Sequence, residues 1–314
     1  MTATGPDTGL DVVTGAFGNT GRAIAGLLLG SGRRVRALTD HPPPPSEAGR
    51  VPIEVAPYRF DEPGHLVHAF EGVTTFYNTF WMRTGDGSAY DTAVARSEAL
   101  ITAAGQAGVR RIVHLSVAHS SVTSPYPYFR AKGLVERHLG TSPAAAAIVR
   151  PALVFGGDAV LLNNLAWVLR RAPLFAVAGD GSYLVRAVHV DDVARLCVDA
   201  GGRESAEAVD AVGPERLTFL ELVTTLRDLV AGRARIVRLP AGVVLAASKV
   251  LGAVLRDDLL TADELRSTME GLADTEGPAT GTVALTAWLR EHADELGRGY
   301  VNERGRRRPP TARA

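Results

Sequence analysis

Apolar positions along the chain gather into short, nearly continuous runs rather than strict alternation. Residues 10–14, 35–39, 51–55, 74–80, 111–115 and 145–149 each read as strand-prone. Between them lie helix-prone stretches at 23–29, 65–70, 90–107 and 128–139, the first three closed by Gly30, Gly72 and Gly108. Strands that lack polar alternation fit a parallel sheet covered by helices on both faces. The pattern predicts an α/β fold, a Rossmann-type doubly wound parallel sheet starting near residue 10, in which Pro42 to Pro45 rule out a continuing strand.

Past residue 151 the rhythm changes. A helix at 161–170 precedes a glycine-rich loop at 178–182 and a strand-prone return through Val188, and His189-Val190-Asp191-Asp192 leads into another helix. Residues 209–212 are expected to return a strand to the main sheet, followed by helices at 218–229 and 243–255, the latter broken by Gly252. The reading divides the chain mainly into a sheet-bearing part over 10–155 and a smaller, mostly helical, interleaved lobe over 156–300. Residues 1–9 and the basic stretch 303–314 are expected to be flexible tails.

Composition narrows the chemistry. The 314 residues carry 34 basic and 34 acidic side chains, so no global field draws the chain to nucleic acid. Cys197 is the only cysteine, which leaves no internal disulfide and no thiolate cluster for a metal, and suits a reducing cytoplasm. The N-terminus shows no cationic patch before an apolar run, and no stretch holds eighteen uninterrupted apolar residues, so neither secretion nor a membrane partner is expected.

The strongest local signal is Thr14-Gly15-Ala16-Phe17-Gly18-Asn19-Thr20-Gly21, placed between the first strand and the first helix. Gly15 allows the turn, Gly18 lets backbone approach a pyrophosphate, Gly21 lets helix and strand pack closely, and the helix-start amides face negative charge. The spacing is G-x-x-G-x-x-G, which departs from the usual G-x-G-x-x-G fingerprint and draws its weight from the strand–turn–helix setting. Asp40, 19 residues after Gly21, suits ribose hydroxyls and favours NAD(H) slightly over NADP(H), unless it is a solvated turn residue. Arg33, Arg34 and Arg36 lie close enough for side-chain direction to decide that preference. Asp61 fits either the adenine amino group or a surface loop.

Further along, Ser116 closes the fifth strand and Tyr128-Phe129-Arg130-Ala131-Lys132 forms a Y-x-x-x-K motif whose four-residue spacing puts both groups on one helical face. An ammonium there would favour a phenolate on a tyrosine whose pKa is otherwise about 10. With the segments 150–156 and 188–194, these residues make the chain resemble the extended or atypical short-chain dehydrogenase/reductase superfamily, of the NAD-dependent epimerase/dehydratase-like kind, over about residues 10–200. Through about residue 275 it is also similar to a branch of nucleotide-binding proteins related to an accessory subunit of respiratory complex I.

The resemblance implies that Tyr128 transfers a proton, that Lys132 also holds the nicotinamide ribose, and that Phe17, Asn19, Thr20, Asn78 and Arg150 join the glycines at the cofactor. Ser116 would orient a substrate oxygen, with His119, Ser120, Ser121 and Thr123 as competitors, because the family's usual third position corresponds to Ala118. Asn78-Thr79-Phe80-Trp81 departs from the small-residue segment common in the family, so Phe80 and Trp81 either narrow the substrate space or serve as core. His119, Asn163 and Tyr183 are expected on the substrate side. Asn164, Arg170 and Arg186 are either polar substrate contacts or lobe structure, and His189 with Asp192 supports a loop rather than a metal; no metal is predicted. The implied function is an NAD(P)-dependent oxidoreductase or epimerase for a hydroxyl or carbonyl small molecule or sugar, possible as a homodimer; the alternative is a non-catalytic dinucleotide-binding structural or regulatory protein.

Overall fold

The computed structural model describes residues 9–40, 52–82 and 87–302. Of the tails expected at 1–9 and 303–314, all but Gly9 lie outside those residues, as do the prolines at 42–45 and Val51. In chain order the elements begin with β1 (Leu10–Thr14), α1 (Asn19–Gly30), β2 (Arg34–Leu38), β3 (Ile53–Ala56), α2 (Pro63–Ala69), β4 (Val73–Asn78) and α3 (Gly87–Gln106). They continue with β5 (Arg111–Leu115), α4 (Pro127–Leu139), β6 (Ala145–Pro151), β7 (Leu153–Phe155), α5 (Val160–Arg171), β8 (Leu174–Ala178), β9 (Leu184–Val185) and β10 (Ala187–His189). The last are α6 (Val190–Gly201), β11 (Glu207–Ala211), β12 (Leu217–Thr218), α7 (Phe219–Leu229), β13 (Arg235–Leu239), α8 (Ala241–Leu255), α9 (Ala262–Met269) and α10 (Leu285–His292).

Two compact units result, one from residues up to Pro151 plus Val190–Ala211, the other from Ala152–His189 plus Val212 onward. The first is a parallel seven-stranded sheet in the order β11-β6-β5-β4-β1-β2-β3, the doubly wound arrangement of the expected fold. Every residue of β1 is buried, as a central strand covered on both faces requires. Val12, Phe70, Phe76, Leu100, Ile112 and Val135 form one core layer, and α1 packs with α6. Strand order reverses between β1 and β4, so the carboxyl ends of β1, β4 and β5 border the crevice where open α/β sheets take ligands.

Element boundaries shift in informative ways. Helix α1 starts at Asn19 rather than at 23, directly off the glycine loop. Strand β4 ends at Asn78, which leaves Phe80 and Trp81 beyond the strand. Strand β6 runs through Pro151 and pairs there with Ala211 of β11, the returning strand expected from the sequence. Gly252 does not break α8. It makes room, since a Cβ there would lie 2.7 Å from the Asp257 carbonyl oxygen.

In the second unit α5, α7 and α10 enclose a core of Leu162, Ala166, Leu169, Leu222, Val223, Leu226, Leu285 and Leu289. The unit also contains three two-stranded sheets, β7 with β10, β8 with β13 and β9 with β12. Strand β13 and helices α9 and α10 were not anticipated from the apolar pattern. Arg186 is buried and donates to the carbonyls of Gly213, Thr275 and Gly277, binding three loops into one piece.

Candidate functional site

The glycine loop has the geometry its residues foretell. Gly15 adopts φ +61°, and its amide is fixed on Leu38 at the end of β2 while its carbonyl accepts from Gly18. A Cβ on Gly21 would fall 2.7 Å from the Gly15 carbonyl carbon and nearer still to its oxygen. Gly18 caps α1 without a side-chain hydrogen bond, and the first turn carries no acidic residue, so no carboxylate of that turn repels an anion at the helix start. Phe17, Asn19 and Thr20 are half-buried along this turn. The cradle fits a dinucleotide pyrophosphate.

Behind the loop, Thr14 and the end of β4 are laced together. The Thr14 hydroxyl accepts from the Thr79 amide at 2.8 Å, Thr79 donates its hydroxyl to the Thr14 carbonyl at 2.5 Å, and Asn78 Oδ1 accepts from the Phe80 amide at 3.2 Å. Asn78 is fully buried, yet its Nδ2 has no partner among the described residues. A buried amide without an acceptor costs about 1–3 kcal/mol, which an incoming carboxamide or ribose oxygen would recover.

Next to it stands the Tyr128–Lys132 pair at the start of α4. Lys132 is almost wholly buried; its Nζ donates to the Leu115 carbonyl at 2.9 Å and sits 4.1 Å from the centre of the Trp81 ring. Burial pushes its pKa down to about 7 against the opposing pull of Glu136. Tyr128 meets the same indole edge-on, with centroids 5.7 Å apart. Trp81 therefore touches both members of the pair.

Ser116 lies one residue beyond β5, its amide still bonded to Val149 and its hydroxyl buried without a partner among the described residues. His114, in register with Asn78, is fully buried, and desolvation with the Lys132 charge holds its pKa well below the ordinary histidine range. Sequence reasoning passed over His114, because a lone histidine inside an apolar strand carries no pattern of its own. It also missed Tyr90, whose ring joins those of Trp81 and Tyr128.

Other expected residues occupy different surroundings. Asp40 follows β2 and accepts from the Tyr58 amide at 3.0 Å. Arg33 forms a two-pronged pair with Asp11, while Arg34 and Arg36 hold Glu54. Asp61 is exposed in the turn before α2. Arg150 grips both oxygens of Glu136, at 3.0 and 2.6 Å, and Ser120 donates to the same carboxylate, so these two brace α4 against β6. His119 is exposed with φ +58°.

In the second unit, Asn163 donates to the Gly299 carbonyl and accepts from the Gly297 amide, and Asn164 makes the matching bonds to Val301. These amides fasten a loop of their own lobe. Arg170 likewise binds the carbonyls of Ala293 and Leu296, and Tyr183 stacks on Phe219. His189 packs on Phe155, whereas Asp192 pairs with Arg195.

Residues 15–201, more than half of the sequence, match the NAD(P)H-binding family. The chain belongs to the NAD(P)H-binding family. This NAD(P)H-binding protein is 29% identical over 136 residues to the mitochondrial NADH dehydrogenase [ubiquinone] 1 alpha subcomplex subunit 9 of Arabidopsis thaliana, a match covering 42% of this chain. The chain spans about a third of the length of the curated relatives it matches. Among solved structures, the NADPH-dependent quinone oxidoreductase of Escherichia coli shares its fold with a TM-score of 0.74 and 18% identity, covering 90% of this chain and 99% of that one. The triphenylmethane reductase of Citrobacter sp. gives 0.72 and 19%, covering 91% and 99%. A nucleoside-diphosphate-sugar epimerase of Staphylococcus aureus gives 0.69 and 17%, covering 90% and 99%. These three structures share the fold of the chain.

Proposed function

We propose that the protein is an NAD(P)H-dependent oxidoreductase acting on the carbonyl or hydroxyl group of a small molecule. The observation that carries this reading is the meeting of a dinucleotide cradle with a buried lysine and its neighbouring tyrosine at the carboxyl edge of one sheet. The glycine loop and the first turn of α1 would hold the pyrophosphate, Asp40 the adenosine ribose, and Asn78 and Lys132 the nicotinamide end. When bound, that cofactor supplies or accepts a hydride.

The chain's own groups handle the rest. Tyr128 exchanges a proton with the substrate oxygen, and the partial positive charge of Lys132 eases loss of the phenol proton. The Ser116 hydroxyl orients the substrate oxygen. The printed activities of two structural relatives, a quinone oxidoreductase and a sugar epimerase, agree with chemistry at a carbonyl or carbinol centre.

NAD(H) is the preferred form. This reading is supported by the pairing of Arg33 with Asp11 and of Arg34 and Arg36 with Glu54. Calorimetric titration with NADH and NADPH, followed by turnover assays on wild type and Tyr128→Phe, tests the proposal. Tighter NADH binding is expected, with Tyr128→Phe keeping cofactor affinity and losing about a hundredfold or more in kcat. Cofactor binding without turnover of any alcohol, ketone or nucleotide sugar would favour the non-catalytic reading.

A further inference from the structure

Helix α8 is built of Ala, Gly, Val and Leu apart from Ser248 and Lys249, yet only one side of it is covered. Val244 and Leu245 pack with Ala178, Leu239, Leu265 and Met269. Val243, Ala246, Ala247, Val250, Ala253 and Val254, spaced three, four and seven apart, share the opposite face and are exposed. Val250 and Val254 keep 69% and 74% of their surface, more than any other large hydrophobic side chain among the described residues. Because Gly252 does not break the helix, the strip is continuous, about 22 Å long.

Cations border this strip. Lys249 lies at its margin beside Ala246 and Ala253, and Arg256 ends the helix; both are exposed. The chain returns to the same end, where Tyr300 donates its hydroxyl to Asp257 at 2.6 Å and Asn302 donates to the carbonyls of Leu255 and Arg256 at 3.0 and 3.3 Å. Directly after Asn302 the sequence reads Glu303-Arg304-Gly305-Arg306-Arg307-Arg308, and Arg313 follows. Asp257 is buried, and Asp258 and Glu303 are outnumbered by these cations. The exposed carboxylates Asp263 and Glu264 belong to α9, which packs on the covered side of α8 through Leu265.

We propose that α8 docks the protein on the surface of an anionic lipid bilayer, its valine strip toward the acyl chains and the arginines after Asn302 drawn to the headgroups. One apolar helix or one basic stretch binds such a surface weakly and reversibly, whereas the two together hold it stably. Lys249 suits the edge of the strip, since its stem covers apolar surface while its ammonium reaches the phosphates. No described helix is long and apolar enough to cross a membrane. The lack of a spanning run, which argued against a membrane partner, does not bear on a helix lying in the plane of the surface. A second protein is the poorer occupant. The strip is about 10 Å wide, so a partner seated on it would bury on the order of 200–300 Å² per side, against roughly 800 Å² in a stable interface.

The test uses the full-length protein and its sedimentation with vesicles of phosphatidylcholine alone or of an equimolar mixture with phosphatidylglycerol. At low salt, wild type is expected to bind the mixed vesicles at least a hundredfold more tightly than the neutral ones, and to lose most of that preference at high salt. Val250→Asp and Val254→Asp alter side chains that are mostly exposed, so both variants should keep the wild-type circular dichroism and NADH affinity while binding mixed vesicles at least tenfold more weakly. Replacing Arg304, Arg306, Arg307 and Arg308 together by glutamine should weaken that binding at least a hundredfold, about fivefold or less for each charge. Wild type that stays in the supernatant with mixed vesicles, or aspartate variants that bind them as well as wild type, overturns the proposal. A dimer in light scattering that Val250→Asp dissociates, in protein that ignores vesicles, overturns it in favour of a second copy of the chain.

Discussion

Replacing Gly21 by alanine separates two opposing effects of one methyl group. Gly21 is the third residue of α1, where alanine is intrinsically favoured over glycine by about 1 kcal/mol. Against this, the new Cβ would stand 2.7 Å from the Gly15 carbonyl carbon and 3.1 Å from the Ala16 nitrogen. Carbon atoms pack best at about 3.5–4.0 Å, so the contact is deeply repulsive. Both neighbours are backbone, in a turn fixed by the bonds of Gly15 to Leu38 and Gly18, and cannot swing aside. Overpacking of about 3 kcal/mol, the upper end of its usual range, outweighs the propensity gain and leaves a net loss of about 2 kcal/mol. Gly26 in the same helix is the control, since it is exposed and its added Cβ meets nothing within 4 Å. Gly26→Ala should gain about 0.5–1 kcal/mol. Urea unfolding reads the stabilities and calorimetry reads NADH affinity, which should fall at least tenfold in Gly21→Ala because the displaced atoms form the cradle. A Gly21→Ala protein as stable as Gly26→Ala, with wild-type NADH affinity, would refute the close-packing argument.

Lys132→Met should alter the pH dependence of stability. Since the folded pKa lies near 7, below the ordinary lysine value of about 10.4, folding below pH 7 must bury the ammonium at its full cost. Between about pH 7 and 10 the unfolded chain holds the proton that the folded chain has released, so wild type should gain on the order of 4 kcal/mol relative to the variant across that window. Parallel stability curves would contradict the burial of a titrating lysine. Arg186→Met should cost about 3 kcal/mol or more in denaturant unfolding, because the carbonyls of Gly213, Thr275 and Gly277 lose their donor together; a change under 0.5 kcal/mol would show that water replaces the guanidinium.

The sheet was legible because its central strands β1, β4 and β5 are buried on both faces and so read as nearly unbroken apolar runs, and even the returning strand β11 showed in residues 209–212. Of the short strand pairs of the second unit, the apolar pattern showed only the return through Val188, where β9 and β10 lie. β8 and β13 pair residue 174 with 235, across a span that no local window sees. Helix α9 did carry a signal, Thr261 with Glu264 three residues on, which forms a complete capping box; the apolar pattern alone overlooked it. Gly252 shows the limit of reading glycine as punctuation, because the same missing side chain that ends one helix admits a carbonyl against the flank of another. At the site the divide is sharper. Tyr128 and Lys132 announce themselves by spacing, whereas the part played by Trp81 depends on the chain turning just after Asn78, which lays the indole under the ammonium and beside the phenol at once. A motif can name the groups that exchange protons, but the aromatic surface beside them comes from the segment after β4, α3 and α4 together, and only tertiary structure brings those three into one place.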